Sequence, residues 1–165
     1  MMKLIKLWEA DIVKAHDLFG SFLENDHGFS NIAYGLNIDD FKELVKLKEA
    51  NSRGEMLQEG FVPDTIYILV DDEENYVGVY SLRHELNSFL KEGPGHIGYV
   101  IRKKYRGRGY SKVGLKLLTD LKNIKEDEYY LSCYKDNDRS LKCQLACGAI
   151  IDHEDDDYYY TRIKK

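Results

Sequence analysis

From Ile101 to Leu118 the chain reads IRKKYRGRGYSKVGLKLL. An apolar extended run ends, two glycines turn the chain, and a helical pattern begins at once. A strand that feeds a helix through so short a turn commits the fold to a crossover. The helix packs back over the sheet and delivers the chain to a second strand running the same way. Tyr110, Gly114, Leu117, Leu118, Leu121 and Ile124 recur at helical spacing and predict the face laid on the sheet. The turn also has a chemical consequence. It gathers free main-chain N–H groups and the positive end of a helix dipole at one spot, which suits an anion and phosphate best of all.

Charge narrows the choice of anion. Arg102, Lys103, Lys104, Arg106, Arg108 and Lys112 crowd into residues 102–112 with no acid, a charge of +6. The whole chain carries −5, so the remainder carries −11 once that segment is set aside. A nucleic-acid binder spreads basic groups over a wide face to meet many phosphates, and this chain does not. One compact basic patch on an acidic body fits a small polyanion such as a phosphorylated cofactor.

With 165 residues, 43% hydrophobic and 32% charged, the expectation is a single domain, 1–165, with a true core. No apolar run approaches the roughly 20 residues a bilayer span needs, and MMKLIKLWEADIV meets an acid too early for a signal peptide. Three cysteines without CxxC spacing predict reduced thiols and a cytoplasmic location. Cys143 and Cys147 stand one helical turn apart, but two ligands do not make a metal site, and no metal is expected.

The remaining elements follow from periodicity and punctuation. KLIKLW (3–8) predicts a first strand, and Asp11 caps a helix running to Asn25. A second helix spans residues 37–54, with Asp39 as its N-cap, Phe41, Leu44, Val45 and Leu47 near one face, and Gly54 closing it. TIYILVDD and NYVGVYSLRHEL form a hairpin, LNSFLKEG a short helix, and GHIGYVIRK the strand before the glycine turn. EYYLSCYKD is a strand with Leu131 and Cys133 on one face and Tyr130, Ser132 and Tyr134 on the other. A helix stopped by Gly148 and a final hairpin complete the chain. The predicted order is β-α-α-β-β-(α)-β-α-β-α-β-β, an α/β (α+β mixed) domain whose mixed, mostly antiparallel sheet is flanked by helices. Tyrosines at the sheet line an acceptor pocket only in part, since consecutive ones such as Tyr158 to Tyr160 face opposite sides.

Three phosphate-binding turns can be set against residues 106–112. The P-loop needs a glycine followed by Lys and Ser or Thr, and Lys112 follows Ser111 with no glycine before it. The dinucleotide fingerprint needs a third glycine where Lys112 stands, and the strands before the turn are antiparallel. The pattern R/Q-x-x-G-x-G/A is met by Arg106, Gly109 and Ser111, with a small serine in place of Gly or Ala. Here the sequence resembles the Gcn5-related N-acetyltransferase (GNAT) family. CYKDNDRSLKCQLACGA resembles the family's second signature through Asn137, Ser140 and Gly148. SLRHELNSFLKEGPGHIGYVIRKKYRGRGYS resembles a bacterial subgroup of predicted acetyltransferases, and the element order matches over nearly the whole chain.

The resemblance implies a single-domain acyl-CoA N-acyltransferase fold and acetyl-coenzyme A as acyl donor, held in a gap between two central strands. Main-chain N–H groups of Gly107, Arg108, Gly109, Tyr110, Ser111 and Lys112, with Arg106, hold the pyrophosphate. Tyr99, Val100 and Ile101 offer backbone bonds to the pantetheine arm, and Asn137 lies across the gap. The reaction implied is direct attack by a primary amine on the thioester in a ternary complex. His96 stands close to where the family often places a base, with His84 and Glu85 as competitors. The family's acid, a Tyr seven residues beyond the Asn, is replaced by Gln144. This leaves Cys143 and Tyr134 as candidates for protonating the thiolate. The partner is a small-molecule or peptide amine, with no nucleic acid and no membrane, and a homodimer fits such enzymes. The rival readings are a non-catalytic acyl-CoA sensor and an acyltransferase using another donor.

Overall fold

A computed structural model describes residues 1–165. In chain order the first elements are β1 (Lys3–Lys6), α1 (Ile12–Gly20), β2 (Asn25–Asp26), β3 (Phe29–Ser30) and α2 (Ile38–Ser52). Next come β4 (Asp64–Val70), β5 (Tyr76–Arg83), α3 (Ser88–Glu92), β6 (Ile97–Ile101) and α4 (Tyr110–Asp120). The chain closes with β7 (Glu128–Tyr134), α5 (Asp138–Ala146), β8 (Ile150–Glu154) and β9 (Tyr158–Lys164). Two antiparallel sheets result, ordered β1-β4-β5-β6 and β7-β9-β8, with β2 and β3 forming a separate two-residue hairpin.

Strand β4 reads as a near-continuous apolar run because both of its faces are covered. Ile66, Ile68 and Val70 pack with Leu18, Phe19 and Phe41 from α1 and α2. Tyr67 and Leu69 face the opposite layer, with Leu115 and Leu118 of α4 and Cys143 of α5. The domain is thus a helix–sheet–helix sandwich of the α/β type expected. Its two sheets meet where β6 and β7 begin: the His96 N–H donates to the Tyr130 carbonyl at 2.7 Å.

Several boundaries differ from the sequence expectation. The first strand stops at Lys6, and Leu7–Glu9 form a 3-10 turn. Asp11 caps α1 as expected, accepting from the Lys14 N–H at 2.9 Å. The helix ends at Gly20 rather than Asn25, however, and the released segment forms β2 and β3. The cap of α2 is Asn37, not Asp39: Asn37 Oδ1 accepts from the Asp40 N–H at 2.9 Å. Helix α4 ends at Asp120, which leaves Leu121 exposed and puts Ile124 in the following loop. Its buried stripe runs through Gly114, Leu115, Leu118 and Thr119 instead.

Candidate active site

The parallel neighbours β6 and β7 touch at His96 and Tyr130 and then part. Pairing geometry fixes what each strand shows to the gap. The Arg83 N–H bonds to the His96 carbonyl and the Arg102 N–H to the Val77 carbonyl, so even-numbered residues of β6 bond to β5. Tyr99 and Ile101 therefore turn their main-chain groups to the gap. Val100, expected to serve a pantetheine arm, turns its own to β5. On β7 the Lys135 N–H bonds to the Asp157 carbonyl on the β9 side, which leaves Ser132 and Tyr134 facing the gap. The result is an open cleft of about 1130 Å³ walled by both strands, the glycine turn and the start of α5.

The glycine turn leaves its main-chain donors free. Gly107 and Gly109 have φ of +77° and +79°, a conformation that suits glycine. No main-chain N–H from Gly107 to Lys112 donates to a protein acceptor, and the first helical bond runs from the Val113 N–H to the Gly109 carbonyl at 3.3 Å. A Cβ built on either glycine would meet nothing within 4 Å, so this space is not filled by the protein itself. Of the six basic residues, Arg102 pairs with Asp17 and Arg106 with Asp26. Lys103, Lys104, Arg108 and Lys112 form no ion pair and leave the turn positively charged.

Arg106 does something other than project toward a ligand. Its Nε donates to the Ile101 carbonyl at 2.7 Å and its Nη2 to Asp26 at 2.9 Å. Asp26 is only 5% exposed and belongs to the β2–β3 hairpin. The hairpin roofs the cleft. Its turn places His27 and Gly28 at φ +52° and +95°, and the Asn25 side chain accepts from the Gly28 N–H at 2.8 Å. Gly28 lies on the Tyr134 ring, and Asn137 Nδ2 donates to the His27 carbonyl at 3.4 Å. Asn137 also caps α5 through the Ser140 N–H at 3.2 Å.

Tyr99, Val100, Ile101, Arg106, Gly107, Gly109, Tyr110, Ser111 and Asn137 all line the cleft, whereas Arg108 and Lys112 do not. His96, expected as a base, is fully buried outside it, and both of its ring nitrogens are engaged. A proton-accepting role on a substrate amine is closed to it. His84 is bound to the Thr65 hydroxyl at 2.8 Å, and Glu85 pairs with Lys125. Cys143 is buried behind the cleft wall rather than lining it. Hydrogen bonding to Cys147 lowers the Cys143 thiol pKa and raises that of Cys147. Gln144 is 1% exposed, and its side chain accepts from the Thr161 hydroxyl at 2.6 Å. Its Nε2 donates to the Ser132 carbonyl at 3.4 Å and the Ser140 hydroxyl at 3.3 Å, so it is a bonded core amide behind the cleft wall.

Sequence reasoning missed Asp26, Phe29, Phe89 and Pro94, which line the cleft from the hairpin and from around α3. Tyr158 and Tyr160 line it with Tyr134, and Tyr134 and Tyr158 stack at 4.6 Å between ring centroids. Hydrogen bonding to Tyr134 is the main cause that pushes the Tyr158 phenol up to about 12. Tyr159 does not line the cleft, as alternation requires.

A family model described as the acetyltransferase (GNAT) family matches residues 34–149. No curated protein sequence matches the chain significantly. Among solved structures, spermidine N-acetyltransferase from Vibrio cholerae in complex with CoA and spermine superposes with a TM-score of 0.64 at 16% identity, covering 99% of this chain and 95% of that one. Campylobacter jejuni N-acetyltransferase PseH in complex with acetyl-coenzyme A gives 0.62 at 16% identity, covering 100% and 99%. The microcin C7 self-immunity acetyltransferase MccE, in complex with acetyl-CoA and AMP, gives 0.70 at 15% identity, covering 99% and 92%. At such identities the likeness establishes the fold.

Proposed function

The chain belongs to the acetyltransferase (GNAT) family, and we propose that it moves the acetyl group of acetyl-coenzyme A to a primary amine by direct attack within a ternary complex. The observation that carries this reading is the run of unbonded main-chain donors from Gly107 to Lys112, set at the mouth of a split between strands. The diphosphate sits on those donors, with Lys103, Lys104 and Arg108 adding charge around it. The pantetheine arm lies along Tyr99 and Ile101, with Asn137 on the far wall. The amine nitrogen attacks the thioester carbon, the C–N bond forms and the C–S bond breaks. The nitrogen gives up its proton to solvent, and coenzyme A leaves as the thiolate. A main-chain N–H of β6 stabilises the oxyanion, and losing one such donor lowers a rate by about 100- to 1,000-fold.

Aromatic groups surround the rest of the cleft. Phe29, Phe89, Tyr134, Tyr158 and Tyr160 line it, and ring faces attract ammonium groups. Together with the −11 charge of the chain outside residues 102–112, this favours a cationic amine. The spermine-bound Vibrio cholerae structure supports an amine acceptor on this fold. No helix is long and apolar enough to cross a membrane. The cytoplasmic location we propose rests on three cysteines without CxxC spacing.

Release of coenzyme A thiol across a panel of mono-, di- and polyamines tests the reading. Acetyl-dependent thiol release with at least one amine is expected. Binding of acetyl-coenzyme A without release for any acceptor would instead support a sensor. That rival has one observation in its favour: Gln144 is buried where the family often carries a phenol. Faster release from succinyl or longer donors would reassign the acyl group.

A further inference from the structure

His96 is 0% exposed and sits where β6 and β7 come together. Its own N–H donates to the Tyr130 carbonyl at 2.7 Å, and its Nδ1 accepts the Tyr130 N–H at 2.9 Å. One residue thereby satisfies both main-chain groups of Tyr130, one of them with a side chain. The hydrogen-bond pattern sets the tautomer. Nδ1 is an acceptor, so the proton lies on Nε2, which donates to Glu126 Oε2 at 2.9 Å. Glu126 is held in turn by the Leu86 N–H, donating to its other oxygen at 2.8 Å. The adjacent Gly95 has φ +69°, and a Cβ there would overlap the Tyr130 carbonyl. This is the point of closest approach between the two strands.

We propose that His96 is a positioning residue: its neutral imidazole ends the β6–β7 ladder at Tyr130 and sets the opening of the split in which the acyl donor lies. The inference rests on the reading that acetyl-coenzyme A occupies that split. In a continued ladder the gap-facing groups of Tyr99 and Ile101 would bond to those of Ser132 and Tyr134, and none would be left for a ligand. In a parallel ladder the Tyr130 N–H would go to a main-chain carbonyl just upstream of His96; here the imidazole takes it, and the main-chain bond at the vertex is the one from the His96 N–H to the Tyr130 carbonyl. The ring is pinned by Glu126, and the strands diverge immediately beyond it.

The role requires an uncharged ring. Protonated at Nδ1, the imidazole would present a donor to the Tyr130 N–H, and the bond at the vertex would be lost. The charged groups facing the ring are Glu126 from the loop before β7, Arg83 from β5 and Arg162 from β9. Arg162 also lies over the Tyr130 ring at 3.9 Å. Burial is the largest influence and outweighs the opposing Glu126, with smaller help from the two arginines, and it holds the His96 pKa below its ordinary 6.5. The folded protein therefore binds this proton less readily than the unfolded chain. The stability it contributes is present at neutral pH and falls as pH drops below 6.5, until the lower folded-state pKa is reached.

The test is calorimetric binding of acetyl-coenzyme A to the intact protein, His96→Leu and His96→Asn, at about pH 7.5 and about pH 5.5. Leucine fills the space but cannot accept, so binding about tenfold weaker at the higher pH is expected, with a cooperative melt confirming the fold. Asparagine places Oδ1 where Nδ1 stands, so affinity within about threefold of wild type is expected. On acidification the wild type loses more affinity than His96→Asn, because asparagine does not titrate. Equal affinity of a folded leucine variant, or identical pH dependence of wild type and His96→Asn, overturns the proposal. If the leucine variant fails to fold, the second comparison still decides. Failure of the wild type to bind acetyl-coenzyme A would overturn the reading of the split itself, a separate outcome.

Discussion

Valine at position 109 is expected to weaken acetyl-coenzyme A binding by at least about tenfold while leaving the protein folded. Gly109 has φ +79° at the N-cap of α4, where an L-residue meets a backbone penalty of about 1–2 kcal/mol and a β-branched one still more. The chain can relieve that strain only by rotating the peptide units on either side. Those units carry donors of the proposed anion cradle. The new side chain would also project into the open space beside the turn, where a Cβ touches no protein atom within 4 Å. Stability should therefore fall by only about 1–3 kcal/mol, whereas the loss of affinity is concentrated at the ligand. Titration calorimetry with acetyl-coenzyme A, alongside a denaturant melt, separates the two effects. Unchanged affinity in Gly109→Val would remove the turn from the account.

The second large effect is on the fold. Gly114 lies on the buried face of α4, and a Cβ there would overlap the ring of Tyr80 on β5. Tyr80 itself is fully buried, stacks on Tyr99 at 5.6 Å, and donates through its hydroxyl to the Ser111 carbonyl at 2.9 Å. The missing side chain is thus what lets a tyrosine stand beneath the first turns of the helix and fix their height above the sheet. Gly114→Val forces the helix off the sheet or the ring out of its site. Overpacking of this kind costs about 1–3 kcal/mol, and the upper end or beyond is expected because the displaced group is a whole ring with its hydrogen bond. Urea denaturation measures it through a lowered midpoint. A midpoint like that of the wild type would mean that α4 does not rest on Tyr80 as described. The higher intrinsic helix propensity of residues other than glycine works in the opposite direction, but at about 1 kcal/mol or less it does not offset the clash.

What could be read from the sequence divides by range of interaction. The turn from Arg106 to Ser111 was legible because its causes are local: positive φ at glycine, orphan N–H groups and a helical stripe. Strands β4, β5 and β7 were legible for the same reason, since burial imprints alternation or an apolar run on the chain itself. Asn37 was displaced by Asp39 in the sequence reading because both residues can cap a helix, and only the bond to the Asp40 N–H distinguishes them. The β2–β3 hairpin left no period to detect, each strand being two residues long. Only the His27–Gly28 turn could have marked it.

The long-range ties were not legible at all. Arg106 reads as a phosphate ligand from its motif, yet its partners are the Ile101 carbonyl and an aspartate 80 positions earlier. His96 attracts a catalytic reading because it opens the strand beside the site. Its partners Tyr130 and Glu126 lie more than 29 positions away, and they convert it from a base into a bracket. The family resemblance groups Val100 with Tyr99 and Ile101, and only the pairing of β6 with β5 shows that its main-chain groups face the other way.

The most direct measurement is a crystal structure of the protein with coenzyme A. Diphosphate oxygens are predicted within about 3.2 Å of main-chain nitrogens between Gly107 and Lys112, with the pantetheine amides along Tyr99 and Ile101 and the thiol inside the split. A ligand bound elsewhere on the surface, with β6 and β7 closed upon each other beyond His96, would contradict it.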